Sequence, residues 1–395
     1  MTTLDRTAPV GVLGAGAMGA GIAQVAVRHG HEVLLADARP DAAPQAAERI
    51  AQALAREVEK GRLVQAEANA AVRRLTALRG VEDLSPFARC GLVIEAVVED
   101  ATVKRDVFRR LEREVPDGTV LATNTSSLSV ASLAGACRVP GRVLGVHFFN
   151  PAPVMPLVEI VPALGTDPAV TASTRALVDA WGKTTVLAAD TPGFIVNRVA
   201  RPFYGESLRV LDEGLADAPT IDWALRELAG FRMGPFELMD FIGLDVNFAV
   251  TRSVYEQTFH DPRYRPSLTQ QRLVEAGRLG RKSGRGFHDH AAGAVQPEPT
   301  RDEALGQAIV RRVLAMLVNE AADAVHWGIC SAPDVELAMT KGVNYPRGLL
   351  AWGDLLGPAA VVAELEALRA AYQEDRYRVS PLLRRTAREG GRLAP

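Results

Sequence analysis

The segment VLGAGAMG at residues 12–19 constrains the fold of this chain more than any other stretch. A short apolar run, Val10 to Leu13, ends in glycines spaced GxGxxG at Gly14, Gly16 and Gly19, and an amphipathic segment, Ile22 to His29, follows. The next apolar run, EVLLAD at 32–37, ends in Asp37. Strand, glycine turn, helix and acid-terminated strand in this order form a dinucleotide-binding unit. Gly14 permits the tight turn, Gly16 lets a pyrophosphate approach the backbone, and Gly19 lets helix and strand pack closely. With Ala17 and Met18 they present free helix N-terminal amides to the phosphates. Asp37 would accept hydrogen bonds from ribose hydroxyls and repel a 2′-phosphate, which favours NAD over NADP. The bland alternative, a tight turn with a helix-capping acid, does not account for the full order of elements.

Residues 41–79 are alanine-rich and charged and read as a long helical excursion. Further strands are expected at 92–97, 119–124, 142–148, 157–161 and 184–189, and their alternation with helices implies a parallel sheet covered on both faces. Strand signals stop after TPGFIVNR at 191–198, and residues 198–283 read as helices and loops. His288 to Thr300 is rich in Ala, Gly and Pro and reads as a linker before a second helical segment. The two helical segments resemble each other. Glu206 and Gly214 match Glu320 and Gly328, and Gly234, Asp240 and Gly243 match Gly348, Asp354 and Gly357. RYRPSL at 263–268 matches RYRVSP at 376–381, and GRL at 277–279 recurs at 391–393. Four matches in order argue for a duplication. The expected architecture is an α/β Rossmann-like N-terminal domain (1–189) followed by two tandem all-α helical domains (190–287 and 301–395), joined by a linker at 288–300.

Composition narrows the function. A formal net charge of −2 leaves no basic excess for nucleic acid and no polybasic segment for an anionic membrane. The apolar runs fall well short of the ~20 residues of a membrane span. Cys90, Cys137 and Cys330 match no metal-ligand spacing, and with no signal-peptide pattern in MTTLDRTAPV a reducing cytoplasm is the expected compartment.

Within the apolar stretch GVHFFNPAPVMPLVEI, residues 145–160, stand His147, Asn150 and Glu159. Here the chain resembles the L-3-hydroxyacyl-CoA dehydrogenase family. The resemblance is carried by residues 12–27, EAVVEDATVKRDVF (95–108), NTSSLS (124–129), HFFNPAPVMPLVE (147–159), DTPGFIVNR (190–198), MGPFELMDFIGLD (233–245) and GRKSGRGF (280–287). It spans about residues 8–287, and the remainder resembles the extra C-terminal copy of longer members. The resemblance implies NAD-dependent oxidation of a (S)-3-hydroxyacyl-CoA thioester, as in fatty-acid β-oxidation. His147 would be the general base, since imidazole titrates near neutrality, and Glu159 would orient it. Ser126 and Asn197 would hydrogen-bond the substrate oxygen. Glu99 and Lys104 match positions lining the nicotinamide side. Asn124 and Asn150 lie in cofactor-proximal stretches, and Lys282 matches a lysine reaching NAD from the helical domain. Lys60 matches a basic residue near CoA, whereas Ala53 stands where the family can place a CoA-binding serine. In the family the helical domain pairs with a second subunit, so a homodimer is one expectation. The other is that residues 301–395 serve as a pseudo-partner inside the chain. Two further readings stay open: a dehydrogenase of a free hydroxy acid such as a sugar acid, and a nucleotide-binding structural protein. The presence of Ser126, His147, Glu159 and Asn197 together argues against the latter.

Overall fold

The computed structural model describes residues 4 and 7–394 of the chain. It divides into two compact units, one ending at Thr191 and the other starting at Pro192. In the first unit, strands β1 (Val10–Leu13), β2 (Val33–Ala36), β3 (Leu75–Ala77), β4 (Leu92–Glu95), β5 (Val120–Thr123), β6 (Val143–Phe148), β7 (Leu157–Pro162) and β8 (Thr184–Leu187) form one sheet. Their order is β3-β2-β1-β4-β5-β6-β7-β8. Every residue of β1, β2, β4, β5 and β6 is buried, as continuous apolar strands between helical layers must be. The helices are α1 (Ala17–Arg28), α2 (Ala42–Glu59), α3 (Gln65–Arg73), α4 (Ala101–Glu114), α5 (Val130–Ala134) and α6 (Pro168–Ala180). Ile22, Ala23, Val25 and Ala26 of α1 and Ala43, Ala46, Ile50 and Leu54 of α2 join the strands in one core.

Two expectations about this sheet need correction. The sheet is not wholly parallel: β7 runs antiparallel to β6, while every other pair is parallel. The physical reason is the short connection at 149–156. A parallel crossover needs a dozen or more residues, whereas an antiparallel return does not. The excursion at 41–79 is also not all helix, because Leu75–Ala77 pairs with β2 as a parallel edge strand. At three half-exposed residues it is too short to show a period.

The second unit contains α7 (Val196–Val199), α8 (Arg201–Asp212), α9 (Ala218–Trp223), α10 (Pro235–Ile242), α11 (Leu244–Gln257) and α12 (Leu268–Glu275). Then follow α13 (Glu303–His326), α14 (Ala332–Leu337), α15 (Leu349–Leu356), α16 (Pro358–Tyr372) and α17 (Pro381–Glu389). The second set repeats the first. α13 takes the place of α7 and α8, and both α9 and α14 run on into a π-helical turn, at Ala224–Leu228 and Ala338–Gly342. Gly214 and Gly328 close equivalent helices at φ 70° and 67°, and Gly243 and Gly357 join the next pairs at φ 103° and 84°. These are left-handed values that glycine reaches without Cβ strain. Asp240 accepts the amides of Phe287 and His288, both at 2.9 Å, and Asp354 likewise accepts those of Leu393 and Ala394 at 2.7 and 3.1 Å. The recurring aspartate therefore pins the chain end of each half. The linker stretch carries no helix, and its start is tied down by His288 to Asp222 (2.7 Å) and His290 to Asp240 (2.8 Å). Among the described residues no helix is long and apolar enough to cross a membrane.

The two halves pack reciprocally through α8 and α13. Glu320 of α13 is fully buried and accepts from Arg198 Nε at 2.8 Å, Arg263 Nη1 at 2.9 Å and the Tyr264 hydroxyl. Glu206 of α8, also buried, accepts from Arg312 Nε and the Tyr377 hydroxyl, both at 2.7 Å, with Arg376 Nη2 at 3.8 Å. Each residue of one set occupies the equivalent place in the other half: Arg198 and Arg312, Glu206 and Glu320, Arg263 and Arg376, Tyr264 and Tyr377. This is the i-to-j, j-to-i pattern of a two-fold interface, written within one chain. Burial alone would raise the Glu320 pKa, but Arg263 and Arg198 outweigh it and hold the carboxyl below the usual range. Removing one member of such a set strands buried charge, at a typical cost of about 3–5 kcal/mol. Glu320→Ala should therefore lose stability of that order in urea unfolding, and a loss below about 1 kcal/mol would show that the network contributes little.

Candidate active site

The carboxyl ends of the parallel strands carry the polar residues of the first unit. At the end of β1, Gly14 adopts φ 106°, and a Cβ there would strike the backbone carbonyl of Ala96 after β4. β1 lies between β2 and β4, where strand order reverses, which is where an α/β sheet opens its ligand crevice. Gly16 caps α1 and has open space on the side where a Cβ would stand. A Cβ on Gly19 would collide with the Gly14 carbonyl, so this glycine lets α1 start against the loop. Asp37, just past β2, accepts the Ala15 amide at 2.8 Å and the Arg39 amide at 2.9 Å. Burial alone would raise its pKa, but those amides and the Arg39 guanidinium hold it below the ordinary carboxylate range. Gly14, Gly16, Ala17, Met18, Asp37 and Arg39 line one wall of a cavity of about 740 Å³. That volume suits a cofactor site. The open face at Gly16, the charged acceptor at Asp37 and the helix start all fit the phosphates and ribose of NAD.

At the end of β4 lies a carboxylate–lysine cluster. Lys104, on α4, is 1% exposed and bonds Glu95 at 2.6 Å, with Glu99 Oε2 at 3.2 Å. Glu95 is itself fully buried and also accepts the Val97 amide and the Thr123 hydroxyl. Glu99 Oε1 collects the Thr125 hydroxyl at 2.6 Å, the Ser126 amide at 2.9 Å and the Ser127 hydroxyl at 3.0 Å. Burial alone would raise the Glu99 pKa, but Lys104 and these donors hold it low. Glu99 thus fixes the loop bearing Ser126, whose hydroxyl lies 3.4 Å from it. The surface-pair alternative for Glu99 and Lys104 does not describe so buried a lysine. Sequence reading passed over Glu95 and Thr125. The signal was a glutamate closing an otherwise apolar strand, LVIE.

On β6 and β7, His147 stands directly opposite Glu159 in the antiparallel register, and directly opposed side chains share one face of the sheet. His147 Nδ1 lies 2.6 Å from Glu159 Oε2, and the residues are 5% and 0% exposed. Phe149 packs against the imidazole at 4.6 Å between ring centroids. Asn124, after β5, accepts the Phe148 amide at 2.9 Å and so ties its loop to the strand bearing His147. Asn150 is exposed and starts the 149–156 connection. Asp190 accepts the Val130 and Ala131 amides at 2.9 and 2.7 Å, holding the start of α5.

The remaining expected residues lie elsewhere. Lys60 caps the C-terminal end of α2, exposed, and no contact among the described residues ties its side chain to the strand ends. Ala53 faces part-buried on the same helix. Asn197 lies on α7 of the helical unit, after a turn where a Cβ on Gly193 would press on the Asn197–Arg198 backbone. Lys282, in the same unit, pairs with Asp245 at 2.7 Å. The Cys90 and Cys137 thiols are pushed up by burial to about 12 and about 11, so neither is poised as a nucleophile.

Comparison with known proteins agrees with this geometry. The model of the 3-hydroxyacyl-CoA dehydrogenase NAD-binding domain matches residues 9–191, and that of the 3-hydroxyacyl-CoA dehydrogenase C-terminal domain matches twice, at 193–290 and 309–393. The chain belongs to the 3-hydroxyacyl-CoA dehydrogenase family. It is an NAD-dependent oxidoreductase that oxidises hydroxyacyl-CoA. It is 39% identical to 3-hydroxyadipyl-CoA dehydrogenase of Escherichia coli, over 96% of this chain and 97% of that one. A 3-hydroxybutyryl-CoA dehydrogenase of Mycobacterium tuberculosis is 41% identical over 72% of this chain and 99% of its own length. The crystal structure of an E. coli 3-hydroxybutyryl-CoA dehydrogenase superposes with a TM-score of 0.91 at 38% identity, covering 97% of this chain and 98% of that one.

Proposed function

We propose that His147 is the general base for oxidation of a (S)-3-hydroxyacyl-CoA to the 3-ketoacyl-CoA, and the general acid in reverse. The observation that carries this is the 2.6 Å contact between His147 Nδ1 and the buried Glu159 carboxylate. With Nδ1–H donated to Glu159, Nε2 is the nitrogen that takes the hydroxyl proton, and Glu159 stabilises the imidazolium that results. NAD, when bound, would supply the hydride acceptor for the same carbon. Ser126, held by Glu99, and Asn197 hydrogen-bond the substrate oxygen and polarise it as the carbonyl forms. Gly14, Gly16, Ala17, Met18 and Gly19 hold the pyrophosphate, and Asp37 the ribose. Glu99, Lys104, Asn124 and Asn150 shape the nicotinamide side, with Lys282 reaching NAD from the helical unit and Lys60 meeting CoA.

The substrate we favour is a dicarboxylic thioester, because the E. coli relative that spans the whole chain is named for 3-hydroxyadipyl-CoA. The domain organisation we favour keeps 288–300 as a linker between two copies of one helical domain, the second serving as an internal pseudo-partner. The reciprocal Glu206 and Glu320 networks support it. A disulfide trap between cysteines placed on α8 of two chains should fail under this reading, and efficient cross-linking would sink it. Scattered thiols suit a cytoplasmic setting.

His147→Ala should lower kcat by about 10²–10⁴-fold with the fold intact, as loss of a positioned base does. A variant keeping most of its turnover with acetoacetyl-CoA and NADH would refute the assignment. Activity on free hydroxy acids but not thioesters would favour the alternative reading, and activity on neither would favour a structural role. Asp37→Ala should weaken NAD binding and, with Arg39 released from its carboxylate, narrow the preference for NAD over NADP. The ratio of kcat/KM for the two coenzymes measures this, and an unchanged ratio would count against it.

A further inference from the structure

Arg201, the first residue of α8, is 6% exposed, yet among the described residues no carboxylate pairs with it. Its Nη1 donates to the Thr251 hydroxyl at 3.0 Å, its guanidinium lies over the Tyr204 ring at 4.9 Å, and its Nε is buried without an acceptor. Burial pulls its pKa below the ordinary arginine value, and its electrostatic neighbours are the phenols of Tyr204 and Tyr345. The Tyr345 hydroxyl is likewise buried without a partner. The unmet groups are thus an N–H donor on a cation and a hydroxyl able to donate. A buried cation without a counter-charge is costly, and such cost is retained at functional sites. An unmet buried polar group in a native fold asks for an explanation, and a bound ligand group is one.

The duplication supplies a control within the same molecule. Arg201, Tyr204, Asn247, Thr251 and Gln270 are all buried in the first helical half. The equivalent places in the second half hold Ala315, Val318, Val361, Leu365 and Leu383, also all buried. The same helical scaffold therefore packs with an entirely apolar set at these five places. In the first half they are joined: Arg201 to Thr251, Thr251 to the Asn247 carbonyl, and Gln270 to the Asn247 side chain at 2.9 Å. Packing does not require this polar set, so another demand keeps it.

We infer that Arg201, with Tyr345, receives the terminal carboxylate of a dicarboxylic acyl chain and so sets the enzyme's preference for that class of thioester. This rests on the hydroxyacyl-CoA reading above, in which Asn197 meets the substrate oxygen. Arg201 follows Asn197 by four residues across Ala200, whose right-handed helical backbone (φ −77°, ψ −10°) joins α7 to α8, so a helix-like rise of about 6 Å separates them. In an adipyl chain three carbon–carbon bonds of about 1.5 Å separate the carbinol carbon from the terminal carboxyl. That span, extended by the carboxylate oxygens, matches a rise of that length. The phosphates of CoA lie beyond the pantetheine arm at the other end of the thioester. A planar guanidinium is also the side chain best matched to a carboxylate.

The test is kcat/KM for 3-oxoadipyl-CoA and for acetoacetyl-CoA, each with NADH, in the wild-type chain and in Arg201→Ala, Arg201→Lys and Tyr345→Phe. The wild type should prefer the dicarboxylic thioester. Arg201→Ala, which installs the residue the second half carries, should cut the ratio of the two kcat/KM values by about 10²-fold, the size of effect seen when one partner of a desolvated charge pair is removed. Arg201→Lys should recover part of it, and Tyr345→Phe should give a smaller drop. Because the readout is a ratio, a general loss of activity or fold leaves it unmoved. A wild type indifferent to the carboxylate, or an Arg201→Ala variant with the wild-type ratio, overturns the assignment. A wild type inactive on both thioesters overturns the hydroxyacyl-CoA reading instead.

Discussion

The register between β6 and β7 is the constraint on which the catalytic half of this structure rests. Side chains alternate faces along a strand, so a slip of one residue would send His147 and Glu159 to opposite sides of the sheet. The antiparallel turn at 149–156 sets that register, and the burial of every residue of β6 penalises any other. A fully buried carboxylate is tolerable only with a donor close by. Glu159 therefore constrains the imidazole as much as the imidazole satisfies Glu159. A second carboxylate, Glu95, does the same service at the end of β4, where Lys104 is its counter-ion and Glu99 extends the network to the Ser126 loop. Two buried acids, Glu159 on β7 and Glu95 on β4, thus position the proposed base and one proposed oxygen-binding group without either acid meeting substrate.

The helical unit obeys a different rule. Its two halves agree where they meet and disagree where chemistry is proposed. The meeting surface repeats with its partners exchanged, so Glu206 and Glu320 each gather arginine and tyrosine from across the seam. Asn197 has no such echo, since its equivalent is Arg311, and the polar set around Arg201 becomes apolar in the second half. Both copies make the seam, but Asn197 and Arg201 stand only in the first.

Much of this was legible from short-range patterns. The glycine loop and Asp37 could be read because their spacing is local and each residue has a stereochemical reason. The strands were legible because buried parallel strands are continuous apolar runs. The direction of β7 was missed although the evidence was present, in a connection too short for a crossover. The short β3 was missed because three half-exposed residues carry no period. The repeated glutamates and RYR motifs were visible as recurrences. Their meaning was not, because the partners of Glu320 lie more than fifty residues away in sequence. Glu95 was hidden by its strand, and Arg201 by its neighbour Arg198, since two arginines near a helix start look like a solvated face.

Comparing the two halves position by position separates residues kept for the fold from residues kept for another purpose. Where both halves carry the same polar group, as with Glu206 and Glu320 or Asp240 and Asp354, the group has equivalent structural partners in each. Where one half is polar and the other apolar at equal burial, folding cannot be the reason, because the apolar version folds in the same chain. Arg198 and Arg201 show the difference three residues apart: the first is matched by Arg312 and meets a buried glutamate, while the second is matched by Ala315 and, among the described residues, pairs with no acid. Two arginines alike in sequence context thus answer to different demands, one to the seam between the copies and the other, by our inference, to a negative charge that no described residue supplies.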